Sequence, residues 1–262
     1  GLYCGGQIVG TSGYEEAAGL GLMAGINATL KIQGKSPLIL RRDEAYIGVM
    51  IDDLVTKGTN EPYRLLSSRA EYRLLMRHDN ADLRLTKYGY QVGLISKERY
   101  QEFLHKSEEI NKAVSYLSTH YIGIKSPLQS YLKELGFDDL LGGISLIDVL
   151  RRPGVEFAKM REYIPELNQY DLSEIGVSQL EIMVKYEGYI EKQKKEAQKL
   201  AKLEEMKLPT DIDYLHMDGL ALEARQKLDK VKPISIGQAS RISGVNPADI
   251  SMLILHLKKE HK

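Results

Sequence analysis

The sequence holds a single cysteine, Cys4, so no disulfide can close within the chain and no cysteine-based zinc site can form. That usage fits a reducing compartment. No sign of charge dominates: 36 lysines and arginines meet 36 aspartates and glutamates, for a net charge of zero. The net charge therefore gives no global argument for nucleic acid or a membrane surface, and any such surface must come from local segregation of charge. No apolar run approaches the roughly 18 residues of a membrane span. No signal peptide is read, and the expectation is a soluble, cytoplasmic chain that meets no membrane. Neither GxGxxG nor GxxxxGK[ST] occurs. The six histidines (His78, His105, His120, His216, His256, His261) are scattered without an H-x-x-x-H pair. No Ser/His/Asp or Cys/His constellation, repeat or low-complexity tract is present, so no catalytic or metal-binding residue is assigned.

What is present suffices for a core: hydrophobic residues make up 43% of 262, enough for one large domain or two ordinary ones. The chain opens on "GLYCGGQIVGTSGYEEAAGLGLMAGINATLKIQG". "LYCGG" reads as a short buried parallel strand, with Cys4 a small apolar group inside it. Gly5, Gly6, Gly10 and Gly13 permit close backbone approach and positive φ. Thr11 or Ser12 is expected to cap a helix beginning near Tyr14, with Glu15 and Glu16 in its first turn. Ala17, Gly21, Gly25 and Ala28 form a small-residue stripe for lying close on a sheet, and Gly34 is a natural stop. Such a turn and helix N-terminus suits a phosphate or an electron-rich ring. A tight turn that only packs helix on sheet is the alternative.

Ile47, Met50, Ile51, Leu54 and Val55 have helical spacing; Gly58 ends that helix, and a new segment starts at Asn60 to Pro62. "YRLLSSRAEYRLLMRHDNADLRL" (63–85) holds the densest chemistry. Ser68 and Glu71 fit a capping box. A helix here puts Arg69, Arg73 and Arg77 on one face; a strand would alternate Tyr72, Leu74 and Met76 with Arg73, Leu75 and Arg77. The helix is the expectation. With Arg64 and Arg84 these arginines form a basic cluster suited to phosphate, or an arginine–carboxylate lattice with Glu71, Asp79 and Asp82.

After Gly93 the pattern is helical. Ser96 starts one helix; Ser126-Pro127 starts another, which ends at Gly136. The run from Ser173 to Pro209 reads as the longest helix, with a stripe of Ile182, Tyr186, Tyr189, Ile190, Ala197, Leu200 and Leu203 and a solvated Lys/Glu face. The tail "SIGQASRISGVNPADISMLILHL" resembles a helix-turn-helix, with Ile250, Leu253, Ile254 and Leu257 as its apolar side. Lys258, Lys259 and Lys262 suit the negative end of the last helix. Ala248, Asp249 and Ser251 are poor groups for reading DNA, so a small docking module is expected.

Four stretches carry a resemblance: "GQIVGTSGYEEAAGLGLMAGINA", "IDDLVTKGTNEPYRLLSSRAEYRLLMRHDNADLRLT", "VKYEGYIEKQ" and "GQASRISGVNPADIS". In them the chain resembles the GidA (MnmG) family of tRNA uridine 5-carboxymethylaminomethyl modification enzymes, and looks like its C-terminal part, beginning at the last strand of the flavin domain. The resemblance implies a mainly α chain. A remnant of an α/β, FAD-binding Rossmann-type domain would lead into a helical region that ends in a small bundle. Expected divisions are 1–92, 93–208 and 209–262.

For the intact protein the resemblance implies a homodimeric enzyme that binds FAD, uses NADH and works with the GTPase MnmE in a heterotetramer-type complex. Together they modify C5 of the wobble uridine of certain tRNAs. Gly6, Gln7, Gly10, Thr11, Gly13 and Tyr14 become flavin contacts; Arg69, Arg73, Arg77 and Arg84 become tRNA contacts. The tail becomes the docking module, through Arg241, Ile250, Leu253 and Leu257. The family's GxGxxG fingerprint and catalytic cysteines are not in this sequence, so the chain is expected to bind tRNA and MnmE without holding FAD tightly or turning over. The competing reading is a free-standing helical adaptor with a helix-turn-helix-like tail.

Overall fold

The computed structural model describes residues 1–58 and 61–260. The segment start expected at Asn60, as well as His261 and Lys262, lies outside the described residues, as do the side chains of Lys259 and Glu260. Among the described residues, twelve α-helices and one two-stranded sheet make up the regular structure, apart from short 3-10 turns. In chain order the helices are α1 (Tyr14–Ile32), α2 (Tyr46–Thr56), α3 (Ala81–Gln91), α4 (Lys97–Thr119), α5 (Leu128–Glu134), α6 (Leu146–Leu150), α7 (Phe157–Tyr163), α8 (Glu174–Lys185), α9 (Glu187–Glu205), α10 (Leu222–Val231), α11 (Ile236–Ser240) and α12 (Pro247–Glu260). Strands β1 (Tyr121–Ile122) and β2 (Ile144–Ser145) pair antiparallel, Tyr121 opposite Ser145. The chain forms two compact units, Gly1–Met76 with Lys192–Lys262, and Arg77–Glu191. This division runs differently from the expected boundaries at 92/93 and 208/209.

In the discontinuous unit, α1 and α2 pack through Leu20, Met50 and Tyr63, all buried. Val49, Ala70, Tyr72, Met76 and Ala197 form a second cluster. The last 60 residues have their own core, with Ala224, Leu228, Ile236, Ala239 and Leu253 fully buried. Gly48 fixes the α2 approach: a Cβ there would lie 2.4 Å from the Leu40 carbonyl oxygen and 2.5 Å from that of Arg41. Backbone cannot swing aside as a side-chain tip can. Gly48→Ala is therefore expected to cost about 1–3 kcal/mol through overpacking, read as a lower denaturation midpoint.

The continuous unit is built on α4, which lays Ile110, Ala113 and Leu117 against Leu128, Leu132, Leu150, Phe157, Met160 and Leu180. Ser96, Ser145 and Ser173 each accept a main-chain N–H at the start of α4, α6 and α8, which supplies orphan donors of the first turn.

Three expectations are corrected here. Residues 1–5 form no strand and are exposed, Cys4 included. They run back along α1 instead: Tyr3 donates its hydroxyl to the Asn27 carbonyl at 3.4 Å, and a Cβ on Gly5 would sit 3.2 Å from the Gly21 nitrogen. The small-residue stripe thus admits an extended segment, with no sheet. Residues 63–77 are not helical; a 3-10 turn at Ser67–Arg69 leads into loops, and Leu66 and Ala70, which flank it, are extended. The Ser68–Glu71 capping box does not form, because Glu71 is drawn to Arg42. The long helix breaks at Tyr186 into α8 and α9, leaving Tyr186 and Tyr189 exposed.

Candidate functional site: a glycine-rich turn and a buried ion network

The glycine-rich turn is a 3-10 turn, Gly6–Val9, closed by Gly10 in the left-handed region at φ 92°. The Gly10 N–H donates to the Gln7 carbonyl at 3.0 Å, and the Tyr63 N–H donates to the Gly10 carbonyl at 2.7 Å. Thr11 bridges Tyr63 in parallel. Gln7 and Tyr14 are exposed, whereas Thr11 and Gly13 are buried. The six residues expected to line a cofactor wall therefore divide into a presented edge and a supporting floor. The buried Thr11 hydroxyl has no hydrogen-bond partner.

Gly13, not Thr11 or Ser12, occupies the cap position of α1, and no side chain caps it. Glu16 explains the substitution. It is buried, its Oε1 accepts the Leu65 N–H at 2.9 Å, and its carboxylate folds over Gly13 so closely that a Cβ would meet Oε2 at 1.8 Å. The main-chain bonds from Leu65 and from its own amide, with Arg64 nearby, hold its carboxyl below the usual glutamate range. The positive end of α1 is thus already matched by an internal anion, so a phosphate there would face a carboxylate. Of the two ligand types that suit such a turn, a flat ring against the exposed Gln7 edge is the one this carboxylate does not oppose.

Behind the turn lies an ion network that the motifs did not reveal. Arg42, 5% exposed, donates to Asp53 at 2.7 Å, to Asp52 at 3.0 Å and to Glu71 through two nitrogens at 2.7 and 3.3 Å. It also reaches the carbonyls of Val49 and Arg69. Asp53 further accepts the Tyr63 hydroxyl at 2.9 Å and Lys57 at 2.9 Å. Burial pushes the Asp53 carboxyl up, but the bonds from Lys57, Arg42 and Tyr63 outweigh it and hold it below the usual range. Burial and the Asp53 bond push the Tyr63 phenol up. Asp52 accepts two bonds from Arg241 at 2.7 and 2.8 Å, and Arg241 also pairs with Glu204.

The arginine cluster is corrected accordingly. Arg69 and Arg73 belong to one compact unit and Arg77 and Arg84 to the other, so no common helix face carries them. Arg69 lies over the Tyr63 ring at 4.6 Å. Arg73 is exposed. Arg77 pairs with Asp79 at 3.0 Å, and Arg84 donates to Asn80 at 2.9 Å and to the Arg77 carbonyl. The expected docking residues also lie differently: Leu253 and Leu257 are buried core, Ile250 packs against that core, and Arg241 is held inside the ion network. Leu253 and Leu257 therefore serve the core of the module, Ile250 is half-buried, and Arg241 ties the module to Asp52 and Glu204. Among the described residues, no cluster of metal-binding side chains occurs and no helix is long and apolar enough to cross a membrane.

Three family models match parts of the chain. Residues 97–194 match the model described as "tRNA modifying enzyme MnmG/GidA C-terminal helical domain", and residues 196–262 match its "C-terminal helical bundle". Residues 1–36 match "Glucose inhibited division protein A". The class is thus the helical C-terminal region described for tRNA-modifying enzymes. The chain belongs to the GidA/MnmG family. It is 56% identical over 98% of its length to the tRNA uridine 5-carboxymethylaminomethyl modification enzyme MnmG of Geobacillus kaustophilus, and 55% identical over 99% to that of Listeria welshimeri; it spans 41% of each. The structure of Aquifex aeolicus GidA in its form II crystal superposes with a TM-score of 0.79 at 44% identity, over 97% of this chain and 39% of that one. The form I crystal gives 0.76.

Proposed function

We propose that this chain is the binding portion of a flavoenzyme that modifies C5 of the wobble uridine of certain tRNAs together with the GTPase MnmE. The observation that carries the proposal is the 56% identity, over 98% of the chain, to a relative named for tRNA uridine modification. In this reading the Gly6–Val9 turn contributes one edge of the flavin site, with Gln7 at the ring and Thr11 beneath it. FAD, with NADH as reductant, supplies the redox chemistry when the whole site is assembled. The residues of this chain orient the ring and do no bond-making themselves, so the chain alone does not turn over. The intact protein works as a homodimer.

The tRNA contact falls to exposed cations. Arg73 has no side-chain partner among the described residues, and Arg69 lies open beside it in sequence space, stacked on Tyr63. Arg77 and Arg84 are engaged by their own unit and contribute less. The test is a binding titration of the chain with tRNA at several salt concentrations. Affinity is expected to fall as salt rises, as phosphate contacts require, and Arg73→Ala is expected to weaken it while stability stays within about 0.5 kcal/mol. No binding to tRNA and none to MnmE would overturn the reading. A collapse of stability in Arg73→Ala would return Arg73 to a structural lattice.

A further inference from the structure

The last 60 residues carry a groove that no expectation touched. It has a volume of about 540 Å³ and lies between the loop at 209–218 and the face of α12 that presents Met252, Leu255 and His256. Its rim holds Asp211, Asp213 and Asp218, and neither lysine nor arginine lines it. All three aspartates are exposed. Its floor is apolar: Ile212 and Met217 are buried, while Leu255 remains 51% exposed. Met252 packs against Gly219, where a Cβ would meet its Cε at 2.4 Å, and forms the base.

We propose that this groove docks a basic segment of a protein partner, one that seats an apolar side chain on Met217, Met252 and Leu255 and places lysines or arginines against Asp211, Asp213 and Asp218. Charge decides between the two macromolecules at issue. Three carboxylates in a groove that no lysine or arginine lines among the described residues repel a phosphate backbone and attract a cationic peptide. The His216 ring pairs with Asp213 at 2.8 Å, and Asp211 and Asp218 have no ion-pair partner among the described residues. Methionine floors adapt to the shape of an incoming side chain. The proposal rests on the reading of this chain as a partner-binding portion. It moves the docking surface from Arg241, Ile250, Leu253 and Leu257 to the acidic groove of the same module.

The test uses the full-length protein with the GTPase MnmE and with tRNA as separate ligands. Asp211→Lys with Asp218→Lys reverses two exposed charges that hold no ion pair among the described residues, and Asp211→Asn with Asp218→Asn is the milder pair should the first fail to fold. Binding of MnmE is expected to weaken about tenfold or more in the charge-reversed protein, with a smaller loss in the neutral pair and a flatter salt dependence in both. Leu255→Asp is expected to weaken it too, and tRNA affinity is expected to hold or rise. Wild-type protein that does not bind MnmE would overturn the functional reading. Wild-type binding that the variants leave unchanged would overturn the groove alone. Weaker tRNA binding in the reversed protein, or a changed oligomeric mass, would assign the groove to nucleic acid or to a second copy and overturn the proposal.

Discussion

Replacing Arg42 by alanine is expected to destabilise the discontinuous unit by about 3–5 kcal/mol, the usual cost of leaving buried charge uncompensated. Three nitrogens of this guanidinium serve Asp52, Asp53, Glu71 and two carbonyls. Asp53 is buried as deeply as Arg42 and would keep only Lys57 and Tyr63. Arg42→Lys is expected to recover little, because an ammonium cannot reproduce a fork aimed at three carboxylates. Denaturant unfolding reads the effect; a loss below about 1 kcal/mol would mean that water replaces the guanidinium. The pH dependence has a definite sign. The folded Asp53 carboxyl lies below its unfolded value, so its contribution is full above the ordinary aspartate range near 4 and is lost as pH falls through the lowered folded value. Asp53→Asn is expected to flatten that acid limb.

Leu253→Ala is expected to cost about 2–5 kcal/mol, the range for deleting a buried leucine and leaving a cavity. Leu253 is wholly buried among Leu228, Ile236 and Ala239 of the C-terminal core. The measurement separates two roles for the tail. A core residue shifts the melting transition whether or not a partner is present. A docking residue weakens association and leaves the melt in place. Leu255, on the same helix but half exposed, is expected to behave in the second way.

Helix positions were readable where local rules act alone. Tyr14 starts α1, Ser96 caps α4 and Ile47 to Val55 lie in α2, because periodicity and capping are set by neighbours in sequence. The 63–77 stretch defeated those rules. Its arginines have good helical spacing, yet Glu71 is held by Arg42, 29 residues away, and a long-range ion pair overrides propensity. Arg42 itself had no motif. A usable signal did exist in α2: Val49, Asp53 and Thr56 recur at i, i+4, i+7, and all are buried, so an acid on an apolar face was announcing a buried partner. Arg241 failed as a surface residue for the same reason, since its partner Asp52 is 189 positions distant. In the turn, the spacing of Gly10 and Gly13 was legible, but Glu16 folding back over Gly13 was not.

The split of one unit across the chain has a consequence for the order of synthesis. Residues 77–191 are continuous and can close their core as soon as α8 has emerged from the ribosome. Residues 1–76 cannot, because Asp52 awaits Arg241 and Val49 and Tyr72 await Ala197. Until α9 and Arg241 have been made, Asp52 is paired with Arg42 alone, and Val49 and Tyr72 lack the cover of Ala197. A stop codon ahead of Ala197 would make that waiting state permanent, and its product would be a substrate for chaperones and proteases.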